Sequence, residues 1–244
     1  MALFRRGSTE SVDHTWNWVY KFGGICFVLI GLWYIIANFW GYITGVPAPG
    51  FATPPVATNA QYFNTLANYP SASTIFYSMY SLTDILVVPA LIALYLAFKG
   101  ISKNVMLVAV GIVALWAAID IGVTEFNSLT LISLTQSYNG ASDATSRAAY
   151  MAASDYALGA IPIATFYSYF VGSLGFLMAS VVMLKGVFRR ITAFAGIAAN
   201  GLGIIVAFVL FTPDLAGLIV PTLMLYGAWN VLVGVQLFRL GRQT

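Results

Sequence analysis

The segment Leu96-Ala97-Phe98-Lys99-Gly100-Ile101-Ser102-Lys103-Asn104-Val105-Met106 decides how this chain folds, because it sets two lysines between two long apolar runs. The runs are Ser73–Phe98 and Val105–Leu134. Each exceeds the about 20 mostly apolar residues that carry a helix across a bilayer, so they read as two spanning helices joined by a basic loop. Four further runs have the same character: Trp18–Val46, Leu158–Leu184, Ile191–Phe211 and Leu215–Phe238. The third and fourth runs in chain order are longer than a bilayer is thick, which predicts tilt or projection beyond the outer surface. The first is too long for the apolar core of a cleavable signal peptide, about 7–15 residues, and reads as a signal-anchor helix.

Charge placement orients the six runs. Arg5, Arg6 and Lys21 precede or open the first; Lys99 and Lys103 follow the second; Lys185, Arg189 and Arg190 follow the fourth; Arg239 and Arg242 follow the sixth. The alternate loops hold only Arg147. Such alternation makes the basic side cytoplasmic. Composition agrees: 60% of residues are hydrophobic and 8% charged, against about 25% charged in soluble domains. The expected fold is all-α: a polytopic bundle of six transmembrane helices in the cell membrane, with both termini cytoplasmic. It forms one domain over residues 1–244, with a cytoplasmic tail at 1–17 and outer loops at 47–72 and 138–157. Short extra helices are expected in both loops, one over Gln61–Ala67 and one capped by Ser142 or Asp143. Three inner helix ends place a cation and then a glycine, at Gly100, Gly186 and Gly241, as a left-handed closing residue would require. Pro89, Pro162 and Pro221 are expected to kink their helices.

Two stretches carry a family resemblance. One is Asp84 to Leu115, with Leu94-Tyr95-Leu96, Lys99 and Lys103-Asn104; the other is Phe170 to Gly203, where Gly172, Gly175 and Lys185-Gly186 lead into Phe188-Arg189-Arg190-Ile191 and Gly196. Over the C-terminal two-thirds the chain resembles a family of small prokaryotic multipass membrane proteins of unknown function. The resemblance implies a six-helix fold and no particular activity.

Several chemistries lack their residues. Every lysine sits at or beyond a helix end, so no Schiff-base cofactor has an anchor in the spans. The one histidine, His14, lies in the N-terminal tail and the one cysteine, Cys26, in an apolar run. Haem, copper and zinc sites need more such ligands, and a serine nucleophile has no histidine base. Hence no catalytic set, metal site or cofactor is expected. Scattered basic residues leave no patch for nucleic acid.

What remains is three acids inside apolar spans: Asp84, Asp120 and Glu125. A carboxylate there costs at least about 2.5–3.5 kcal/mol on the insertion scale, so each should face the bundle interior. No intramembrane Lys or Arg can neutralise them; they are protonated, share a proton, bind a cation or reach water. Tyr77, Tyr80, Ser81 and Asp84 share a face at helical spacing, as do Asp120, Thr124 and Asn127, and Tyr169 and Ser173. On a regular helix Glu125 points about 140° away from Asp120. Asn200, Asn230 and Tyr226 are expected to make interhelical hydrogen bonds. The first functional expectation is a non-enzymatic accessory or structural subunit that binds membrane lipid or another membrane-protein subunit, given six tryptophans and fourteen tyrosines. The alternative is a proton- or cation-coupled carrier or small-ligand receptor, with Asp84, Asp120, Glu125, Asn127, Tyr80 and Tyr169 as its ion- or ligand-binding set.

Overall fold

Ser102 is where the long central helix turns back. In the computed structural model, which describes residues 13–40, 43, 63 and 66–243, its backbone is extended (φ −155°, ψ 78°) inside the otherwise helical α2, Pro70–Ile119. Helix continues through a π-turn at Asp120–Glu125 into α3, Phe126–Gly140. As a straight rod these 71 residues would be about 107 Å long. Instead Ser81 donates a hydrogen bond to Glu125 at 3.3 Å, which requires a hairpin folded at Ser102. The remaining elements are α1, Asn17–Asn38; α4, Ala144–Met183; α5, Arg190–Ala207; and α6, Ile219–Leu240, with 3-10 turns at Phe208–Leu210 and Pro213–Leu218. The described residues are helical with no strand. Five continuous helical segments are long and apolar enough to cross a membrane. The hairpin segment supplies two limbs, so six long apolar limbs form the bundle.

Among the described residues, the cations of alternate loops meet at one end. Phe98 and Phe188 stack edge-to-face at 4.8 Å, which joins the Lys99–Lys103 turn to Lys185 and Arg189. The Arg189 amide donates to Gln236 at 2.6 Å, and Gly241 lies against Asn17 and Lys21. The limbs spaced apart in sequence therefore bring their cations together, while Arg147 is on the segment that leads away.

Glycines at heptad spacing bind α1 to α6. A Cβ on Gly24 would stand 2.7 Å from the Gly234 carbonyl oxygen, and one on Gly31 would stand 2.5 Å from that of Gly227. Gly241 continues the seam at the basic end, where a Cβ would come within 2.5 Å of the Asn17 carbonyl. Small residues allow backbones to approach this closely in apolar bundles. The expected left-handed caps are corrected here: Gly241 is right-handed (φ −69°, ψ −6°), and Gly186 is needed for room against the Phe98 ring rather than for a positive φ. Pro221 lies in the first turn of α6, where no intrahelical N–H is lost, so it starts that helix instead of kinking it. Pro89 and Pro162 lie inside their helices. Core packing is aromatic: Trp229 is fully buried between Phe27 and Phe176.

The second outer segment is not a loop with a separate short helix. Asp143 caps α4, accepting from the Ser146 amide at 2.8 Å, and the helix then runs unbroken to Met183. Only residues 141–143 link it to α3. Alanine-rich composition favours this continuity. At 40 residues α4 is about 60 Å long, against about 27 Å for the 18 residues of α5, so α3 and the start of α4 project together past their neighbours. A second apolar cluster, with Trp40, Leu66, Phe76, Leu131, Ile132 and Ala157, seals their base. Of the first outer loop, 47–72, most residues lie outside those described; within the expected Gln61–Ala67 helix, residues 63, 66 and 67 are helical.

The Asp143 carboxyl is held below its ordinary 3.8 by hydrogen bonds from Ser146. A lowered folded value means its capping contribution is present at neutral pH and disappears as pH falls through that value. The amide protection factors at residues 144–147 are expected to fall in Asp143→Ala at neutral pH, and in the wild-type chain on acidification once the intrinsic pH dependence of exchange is divided out. Equal exchange in both chains at neutral pH would refute the cap.

Candidate functional site

One irregular turn builds the site. In α3's approach the Phe126 amide bonds to the Ile121 carbonyl, five residues back, the signature of a π-turn. The extra residue alters the phase of everything beyond it. Glu125, expected to point away from Asp120, comes round to the same face, and both line one cavity. Asn127, expected beside Asp120, is carried off that face; its amide folds back onto the Val123 carbonyl at 2.7 Å. A single insertion thus explains one gained site residue and one lost.

The cavity has a volume of about 130 Å³ and lies in the half of the bundle away from the basic end. An engineered apolar cavity of about 150 Å³ admits benzene, so a compact molecule fits. Its walls are Tyr34 from α1, Phe76, Tyr77, Tyr80 and Trp116 from the two limbs of α2, Tyr169 from α4, and Leu223 and Tyr226 from α6. Tyr34 meets Tyr226 at 5.0 Å and Tyr80 at 5.8 Å, both edge-to-face, which fixes three rings around the space. Gly172 and Gly203 also line it, and both are needed for close packing: a Cβ on Gly172 would stand 2.9 Å from the Trp116 ring, and one on Gly203 would collide with the Ser173 hydroxyl.

Two carboxyls enter this aromatic chamber, each with one serine donor. Ser168 of α4 donates to Asp120 at 2.9 Å, and Ser81 of α2 donates to Glu125 at 3.3 Å. Glu125 is buried, at 4% exposure. No Lys, Arg or His is among the lining residues. Asp84 is nearly inaccessible, at 1%, and among the described residues neither of its oxygens has a hydrogen-bond partner. It is outside the lining set, though within electrostatic reach of Asp120 and Glu125. Of the six residues expected to act together, Asp120, Glu125, Tyr80 and Tyr169 therefore meet in the cavity; Asp84 lies behind it and Asn127 away from it.

Thr165 and Ser168 escaped sequence reasoning although they extend the face that Tyr169 and Ser173 marked. Thr165, Ser168, Tyr169, Gly172 and Ser173 fall at i, i+3, i+4, i+7 and i+8, one polar stripe along α4, and all five line the cavity. Tyr34 and Trp116 gave no such signal. Asn200 and Asn230 do not bond between helices: their amides donate to the Gly196 and Tyr226 carbonyls, four residues back, at 2.7 and 2.9 Å. Among the described residues no group of three His, Cys, Asp or Glu is placed to hold a metal ion.

The π-turn gives a prediction of unusual sign. Deleting Gly122, which is exposed with open space around it, should be tolerated. The turn becomes regular helix, with the two acids four apart and still on one face. Deleting Ala114 instead turns Asp120 by about 100° out of the cavity. Melting temperature and ligand binding of both variants check this; collapse of the Gly122 deletion would refute it.

Comparison with family models, curated proteins and solved structures finds no match, and nothing there identifies a family.

Proposed function

We propose that the chain is a multipass protein of the cell membrane, with both termini cytoplasmic, that receives a small organic cation in this chamber as a receptor or cation-coupled carrier. One observation carries the reading: two carboxyls face an aromatic-walled cavity whose lining holds no positive charge. A cation is the ligand that complements both features, since carboxylates attract it and ring faces stabilise it, with about 2 kcal/mol or more per desolvated cation–π contact. The placement of cations at one end supports this orientation, in which the chamber opens toward the outer surface. Geometry favours an organic ion over a metal ion, because among the described residues no three acids, histidines or cysteines converge as ligands.

The direct test uses choline and dimethylbutanol, its uncharged isostere, with the purified protein in detergent or nanodiscs. Calorimetric binding of choline, and much weaker binding of the alcohol, is expected. Equal affinity for the two, or no binding of either, would overturn the proposal.

The accessory-subunit reading keeps one supporting observation. Tyr156, on the projecting part of α4, is 80% exposed, and large exposed aromatics enrich protein contacts. Purification with a stoichiometric companion, lost on Tyr156→Ser, would favour that reading.

A further inference from the structure

A groove at the basic end stands apart from the chamber. The glycine contact between α1 and α6 draws the two backbones together, and the side chains flanking it diverge. They leave a furrow of about 280 Å³ walled by Ile25, Val28, Val235 and Phe238, with Arg239 and Arg242 along one side. Lys21 lies one turn below Ile25 on the same face of α1, at i, i+4, i+7 with Val28. The groove is apolar where it is deepest and cationic where it opens.

Both arginines are exposed, and no ion pair ties them to a carboxylate among the described residues. Arg242 is already ordered, its guanidinium 5.1 Å over the Phe238 ring. From Arg242 to Val235 the furrow rises about 10 Å along the helix, the depth of the first carbons of an acyl chain. We propose that an anionic phospholipid occupies this groove, its acyl chain between α1 and α6 and its phosphate on Arg239 and Arg242. Charge selects this occupant. A second copy of the chain meeting itself here would set the same cations against one another, whereas basic pockets at the cytoplasmic ends of helices suit anionic headgroups.

Native mass spectrometry of the full chain tests the assignment, with phosphatidylglycerol and phosphatidylcholine of identical acyl chains supplied together. The wild-type protein is expected to prefer phosphatidylglycerol by about 30-fold, the scale set by two basic side chains at an anionic surface. Arg239→Gln/Arg242→Gln should lose that preference, while Lys99→Gln/Lys103→Gln, with the same change of charge at the same end, should keep it. Val235→Trp, which fills the furrow, should reduce retention of both lipids. Soluble glycerophosphate should not displace the bound lipid, because the acyl chain contributes. Equal retention of the two lipids by the wild type, or equal loss in the lysine and arginine variants, overturns the proposal. Displacement by glycerophosphate overturns it as well, assigning a phosphate site without a lipid.

Discussion

Gly234→Val is expected to separate the first and last long helices and cost the protein about 3 kcal/mol or more, at or above the top of the usual range for overpacking. The reason is what the new atoms meet. A Cβ at this position would stand 2.5 Å from the Gly24 carbonyl oxygen and 2.8 Å from the Val28 amide nitrogen. Both are backbone atoms of a helix, and neither can swing aside as a side chain would. The two helices must part, which opens gaps between neighbouring side chains and forfeits their contacts. Gly201→Ala is the matched control, with nothing within 4 Å of its Cβ; it is expected to be neutral or to gain up to about 1 kcal/mol from helix propensity. Reversible unfolding in mixed detergent micelles would separate the two variants. Similar stability in both would mean that the glycine seam does not hold the bundle.

Asp120→Asn with Glu125→Gln is expected to leave the fold intact and to weaken choline binding by at least about 30-fold, since losing one partner of a buried charge pair costs about 2–5 kcal/mol. The amides are close in size and still accept from Ser168 and Ser81, so the serine contacts at 2.9 and 3.3 Å survive. What is removed is the capacity to carry negative charge, with one acceptor oxygen on each side chain becoming an NH2 donor. Each single change should give part of the loss, and affinity for the uncharged alcohol should not fall. Protons and the ligand compete for the same oxygens, so wild-type affinity should decline as pH is lowered and that slope should flatten in the double variant. Undiminished choline affinity in the double variant would exclude the carboxyls as its site, whatever the stability of the protein.

The helices were legible because hydrophobic length and the position of cations are properties of local sequence. Lys99 and Lys103 marked the reversal at Ser102, and Ser142-Asp143 marked a helix start, though not that this helix runs on unbroken as α4. The phase of a helix across a defect was not legible. Sequence spacing assumes a uniform 3.6 residues per turn, and the π-turn at Asp120–Glu125 breaks that assumption at the very residues whose direction mattered. Nor could spacing reveal that Gly227, Gly234 and Gly241 mate with α1, because a seam needs two partners and the sequence shows each alone. Asp84 was rightly placed inside the bundle, but whether a buried acid reaches a cavity depends on neighbours far away in the chain.

The projecting pair of helices has a mechanical corollary. Residues 126–140 run as one rod from the chamber wall to the link at 141–143, about 22 Å at helical rise, so a tilt of about 5° at the acids sweeps the tip through about 2 Å. A spin label or fluorophore at the tip would therefore read any such tilt at a larger amplitude than a probe beside Glu125.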